Sequence, residues 1–148
     1  MPHDRDEWMG RIKAVEREYL AAQFAIDWLR IIADRDPKVL AGKLKLRDLR
    51  EASERLNGTF IIRLFAEFEA GLRSYWSTLK GTHPGAQDLL EAIAARRRIG
   101  TDTQMNAHAV REYRNSLVHE RDEPVPPITM MNTRSSLCRF FSFLPRKW

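Results

Sequence analysis

The segment Val110-Arg111-Glu112-Tyr113-Arg114-Asn115-Ser116-Leu117-Val118-His119-Glu120 sets two arginines, a carboxamide and a histidine close together. Histidine takes or gives a proton near neutral pH. Arginine stays charged and grips phosphate oxygens with paired hydrogen bonds. RNA carries its own nucleophile, the 2′-hydroxyl. A base, an acid and a cation are therefore chemically sufficient to cut its backbone without a metal, and two copies across a dimer would supply two of each. On a helix each residue turns by about 100°. Ala109, Val110, Tyr113 and Leu117 then form the expected core face, with His108, Glu112, Asn115 and His119 opposite. Arg111 lies beside the polar side and Arg114 on a flank of its own. Arg114 and His119 are about 140° and roughly 7.5 Å apart along the axis, so a shared phosphate would need a broad cleft. A histidine at a helix end also serves simply as a cap.

Other constellations carry less. Glu69 and Arg73 are spaced i,i+4 and can pair, which by itself describes a solvated helix-stabilising pair. Arg96-Arg97-Arg98 closes a helix, where positive charge suits the dipole, and is a phosphate patch only in second place. His3, His83, His108 and His119 have no metal-ligand spacing, so neither a metal nor another cofactor is expected. No phosphate-binding glycine loop and no GxSxG serine occur. Cys138 sits in an apolar stretch and reads as core, and Gly81-Thr82-His83-Pro84-Gly85 reads as a turn. Trp8, Trp28, Tyr75 and Trp76 read as core, not as a base-stacking platform.

The elements that must hold these residues are helical. The chain has 148 residues, which fits a single domain over 1–148 with a real core. Hydrophobic residues at 43% and charged residues at 30% are globular proportions. One cysteine excludes an internal disulfide, and no apolar run is long enough to span a membrane. The charged N-terminus lacks a signal-peptide core, and a cytoplasmic setting is expected. Net charge is +5, and 19 of the 25 basic residues are arginine. That bias suits phosphate binding and equally suits a GC-rich genome.

Heptad-like spacing of Trp8, Ile12, Val15, Tyr19, Ala22, Ile26, Leu29 and Ala33 predicts a first helix from Asp4 to Asp34. A second is expected over Leu44 to Leu56, ended by Asn57-Gly58, with Thr59 capping a third from Phe60 to Leu79. A fourth spans Ala86 to Arg98. A fifth runs from Thr101 or Asp102 to His119. After Pro124-Val125-Pro126-Pro127 a last helix starts at Thr133 or Ser135, and Pro145 to Trp148 trail off. The expected fold is all-α, an antiparallel bundle of about five to six helices.

Arg114-Asn115-Ser116-Leu117-Val118-His119 resembles the R-x-x-x-x-H motif of HEPN domains, in its R-N-x-x-x-H form. HEPN domains are small all-α bundles that typically dimerise, with the motif near the end of a late helix before a loop and a final helix. The resemblance implies a metal-independent endoribonuclease of the toxin or defence type. It makes Arg114 and His119 the catalytic pair, with Asn115 shaping the site. Glu69 and Arg73 match an acidic and a basic residue found in some ribonuclease members. Glu120 stands as a supporting residue, and Arg111, Arg96, Arg97 and Arg98 as RNA contacts. Implied partners are RNA, a second copy and an antitoxin or other defence protein. The tyrosine that often follows the histidine by two is replaced by Arg121, which argues against regulation by its modification. The alternative is a non-catalytic HEPN-like module that binds nucleotide, nucleic acid or a partner protein.

Overall fold

Asp4 opens the first helix, α1 (Arg5–Arg35), from an extended conformation, and its Oδ1 accepts the Asp6 N–H at 2.7 Å. That carboxylate satisfies a donor which the helix start would leave unpaired. The structure is a computed structural model that describes residues 3–119 and 123–148. A 3-10 turn, Pro37–Leu40, follows α1. Four more helices complete the chain: α2 (Leu46–Ser77), α3 (Ala86–Arg97), α4 (Thr101–Val118) and α5 (Met130–Phe141). Among the described residues there are five α-helices and no strand. None is long and apolar enough to cross a membrane.

The expected break at Asn57-Gly58 does not occur: α2 runs unbroken through it. A Cβ on Gly58 would lie 3.1 Å from Cδ2 of Leu117. The glycine thus serves close approach of α4, and packing outweighs its poor helix propensity. Thr59 is not a cap, since its hydroxyl donates back to the Arg55 carbonyl at 3.1 Å. The last helix starts earlier than expected, at Met130, because Thr129 takes the cap: its hydroxyl accepts the Asn132 N–H at 3.1 Å.

α1 and α2 run antiparallel. Asp34 meets Arg50 at 2.9 Å, Glu18 meets Arg63 at 2.7 Å, and Arg11 approaches Glu67 at 3.8 Å. Between them and α5 lies an aromatic core. The Phe68 ring centroid sits 5.7 Å from Phe65, 5.5 Å from Phe140 and 5.4 Å from Phe141, the last two edge-on. Gly71 leaves the space that Phe141 and Trp8 fill. Trp8, Ile12 and Val15 of α1 join this core, while Ala33 belongs to a second, smaller cluster with Leu40 and Leu49. Trp8, Tyr75 and Trp76 are buried as expected, but Trp28 is exposed.

The C-terminal segment does not trail off. Arg5 N–H donates to the Arg146 carbonyl at 2.8 Å, and Trp148 N–H to the His3 carbonyl at 3.0 Å. The Trp148 indole N–H donates to Ser74 Oγ at 3.0 Å, and its ring meets Tyr75 edge-on. Residues 3–5 and 146–148 are thereby held together against the end of α2.

Candidate active site

α4 carries the motif and presents it differently from the expected core face. Its inward line is Thr103, Ala107 and Val110, all buried. Continuing that line by one turn reaches Arg114. Ala109 and Leu117, expected inside, are exposed instead, and Tyr113 is half-buried. Arg114 therefore sits above the core and not on a separate flank. Its Cζ lies 5.7 Å from the centroid of Phe65 on α2, within range of a cation–π contact. Leu117 over Gly58 and Arg114 over Phe65 show α4 antiparallel to α2.

Asn115 connects the two motif ends. Arg114 Nη1 donates to Asn115 Oδ1 at 3.0 Å. The Asn115 carbonyl accepts the His119 N–H at 2.9 Å, so His119 forms the C-cap of α4 with an extended backbone. Arg114 is half-buried and His119 is exposed. Arg114 Nε is buried without a hydrogen-bond partner among the described residues. The guanidinium is thus held by the Asn115 carboxamide and lies over the Phe65 ring.

A cleft of about 410 Å³ lies between α2 and the end of α4, with none of Arg114, Asn115 and His119 in its lining. Arg55, Asn57 and Ile62 line one side and Tyr113 and Leu117 the other. Sequence reasoning missed it because Asn57-Gly58 reads as a chain break. The signal that could have found it is a glycine inside a strongly apolar helical run, which commonly marks close packing.

The remaining residues separate by element. Arg111 pairs with Glu112 and has only 12% of its side chain exposed, with Nε unpartnered among the described residues. His108, one turn earlier, lies 3.7 Å from Glu91 of α3. Burial, and then the Arg111 charge, push its pKa below the usual histidine value against the pull of Glu91 and Glu112. Glu69 and Arg73 form their expected pair, with Glu69 Oε1 accepting from Arg73 Nη2 at 2.6 Å and Nε at 3.0 Å. Arg73 also donates to the Pro84 carbonyl at 2.9 Å. That turns the pair toward the α2–α3 loop, with Glu69 about 6 Å and Arg73 about 12 Å along α2 from the level of Phe65. Arg96, Arg97 and Arg98 finish α3, with Arg98 as a left-handed C-cap and Arg97 Nε donating to the Phe143 carbonyl at 2.8 Å. α4 begins just beyond them, so they adjoin its N-terminus, while His119 closes the other end about 27 Å away. Glu120 lies outside the described residues.

Cys138 is buried, and burial raises its thiol pKa above the usual value. No group of three or more metal-ligating side chains clusters among the described residues. The site therefore consists of a fixed cation, a carboxamide that braces it, and an exposed imidazole at the helix end. Comparison of the chain with protein-family models, with curated proteins and with solved structures gives no match.

Proposed function

We propose that the chain is an HEPN-like, metal-independent endoribonuclease that acts as a homodimer. The observation that carries this reading is Asn115, whose side chain holds Arg114 and whose carbonyl fixes the turn that exposes His119. In the reaction, His119 removes the proton of an RNA 2′-hydroxyl, and that oxygen attacks the adjacent phosphorus. The P–O5′ bond breaks, and an imidazolium returns a proton to the leaving 5′-oxygen. Arg114 holds the phosphate and stabilises the added negative charge at phosphorus. The products are a 2′,3′-cyclic phosphate and a 5′-hydroxyl. In this reading Glu69 and Arg73 support the site and Arg96 to Arg98 contact the RNA.

Labelled RNA incubated with the protein in EDTA tests the reading. The expected result is cleavage with cyclic-phosphate ends, reduced about 10²–10⁴-fold in His119→Ala, the usual contribution of a positioned acid or base. Intact RNA with the wild-type protein overturns it. Salt-sensitive RNA binding without cleavage would then favour the non-catalytic binding module.

A further inference from the structure

A cavity of about 530 Å³ opens between α1, α2 and the start of α5, within the size range of sites for small organic ligands. Tyr19, Leu20, Ile128 and Met131 make its wall largely apolar. The Phe60 ring backs Tyr19, with centroids 5.8 Å apart. Leu20 and Met131 are more than half exposed, so part of this wall stands in water. An ion pair also lines the cavity: Arg134 Nε donates to Glu16 Oε2 at 3.0 Å. Only 30% of the arginine side chain and 19% of the glutamate side chain are exposed. Neither makes another hydrogen bond among the described residues. Glu16 Oε1 and both Nη groups of Arg134 therefore remain available. Asn57 lines the cavity too, its carboxamide without a hydrogen bond among the described residues, and it also borders the α2–α4 cleft.

A purely apolar ligand would strip water from this ion pair and return no hydrogen bond, which costs free energy. A small anion would meet the Glu16 carboxylate and leave the apolar wall uncovered. A flat heteroaromatic ring serves both the wall and the pair. Among the nucleobases, guanine alone sets two adjacent donors, N2–H and N1–H, beside two adjacent acceptors, O6 and N7. A carboxylate next to a guanidinium offers the complement in the same order, and arginine on O6 and N7 is the commonest specific contact to guanine in duplex recognition. We infer that this cavity binds a guanine base, stacked on Tyr19 and read by Glu16 and Arg134. Two sources supply such a base: a free guanine nucleotide, or a guanine within an RNA strand, for which the cleft that shares Asn57 gives adjoining room. The inference does not rest on RNA cleavage, because the ring, the ion pair and the cavity carry it.

Calorimetric titration of the full chain with guanosine, adenosine and cytidine monophosphates tests it. The guanine nucleotide is expected to bind about tenfold or more tightly than the other two, the discrimination of a good paired contact. Tyr19→Ala should weaken that binding about fivefold or more, as for the loss of one stacked base, and Tyr19→Phe should keep it. Glu16→Gln should erase the preference for guanine, because a carboxamide has only one acceptor atom for two donors. Circular dichroism checks that each variant keeps its helix content, and the wild-type comparison decides alone where a variant does not fold. No binding of the guanine nucleotide at millimolar concentration overturns the inference. So does equal binding of the three nucleotides, or a guanine preference that survives Glu16→Gln in a folded protein. A 2′-O-methyl oligouridylate with one internal guanine, which has no free 2′-hydroxyl at the chain's linkages, separates the sources. Binding tighter than that of both the free nucleotide and the all-uridine strand assigns the base to RNA, and binding no tighter than that of the free nucleotide assigns it to the nucleotide. Guanine binding by a protein that cuts no RNA would count against the ribonuclease reading alone.

Discussion

Asn115 and His108 act on the same helix in different ways. Asn115 is a brace: its carboxamide meets the Arg114 guanidinium, and its carbonyl holds His119 in the cap. His108 is a partly buried imidazole among Glu91, Arg111 and Glu112, and burial holds its pKa below the ordinary 6.5. A histidine with a lowered folded pKa binds fewer protons folded than unfolded. Stability from this site is therefore fully present above pH 6.5 and declines as pH falls below it toward the folded value. Urea denaturation at a series of pH values should show this decline. His108→Gln should flatten it while leaving the curve above pH 7 nearly unchanged, and an undiminished slope in the variant would refute the assignment. The motif residues were legible in the sequence because their types are chemically distinctive. Their orientation was not, because Arg114 follows the buried line Thr103, Ala107 and Val110. Long arginine stems can lie over apolar surface, so a pattern that sorts residues only as polar or apolar puts Arg114 on the wrong side.

Helix existence was legible where periodicity and end signals agreed. α1 starts on the Asp4 cap, and α3 ends on its basic last turn. α2 shows where local signals fail, since Asn57-Gly58-Thr59 looks like an end and a new cap, yet the helix continues. What decides is a neighbour distant in sequence, Leu117, which needs the space above Gly58. The two glycines of α2 should respond oppositely to alanine. At Gly71 a Cβ would overlap the Phe141 ring and lie 3.1 Å from Trp8, both inside the aromatic core. Overpacking there costs about 1–3 kcal/mol or more and outweighs the roughly 1 kcal/mol that alanine gains in helix propensity. At Gly58 the contact is the far end of Leu117, which is 37% exposed and can swing toward solvent. Gly58→Ala should therefore be neutral or stabilising by up to about 1 kcal/mol. Chemical denaturation with an unchanged slope on denaturant checks both. A destabilised Gly58→Ala would mean that Leu117 is held more firmly than its exposure implies.

At the scale of the whole molecule, which helices pair is set by contacts no local pattern displays. The clearest case joins residues 3–5 to residues 146–148 through two backbone hydrogen bonds, and a third bond, from the Trp148 indole to Ser74, ties them to α2. Pro145-Arg146-Lys147-Trp148 carries no helical or strand periodicity, so its order comes only from what it touches: the His3 carbonyl, Ser74 Oγ and the Tyr75 ring. This clamp fixes the start of α1 and the end of α2, near Trp8 and Tyr75 in the main core. Trp148→Ala should destabilise the fold by about 2 kcal/mol, less than for a fully buried tryptophan because the ring is only half-covered. Trp148→Phe keeps a ring against Tyr75 but loses the indole donor, and should cost about 1 kcal/mol. Thermal or urea unfolding measures both. If Trp148→Ala leaves stability unchanged, the clamp contributes nothing to the fold.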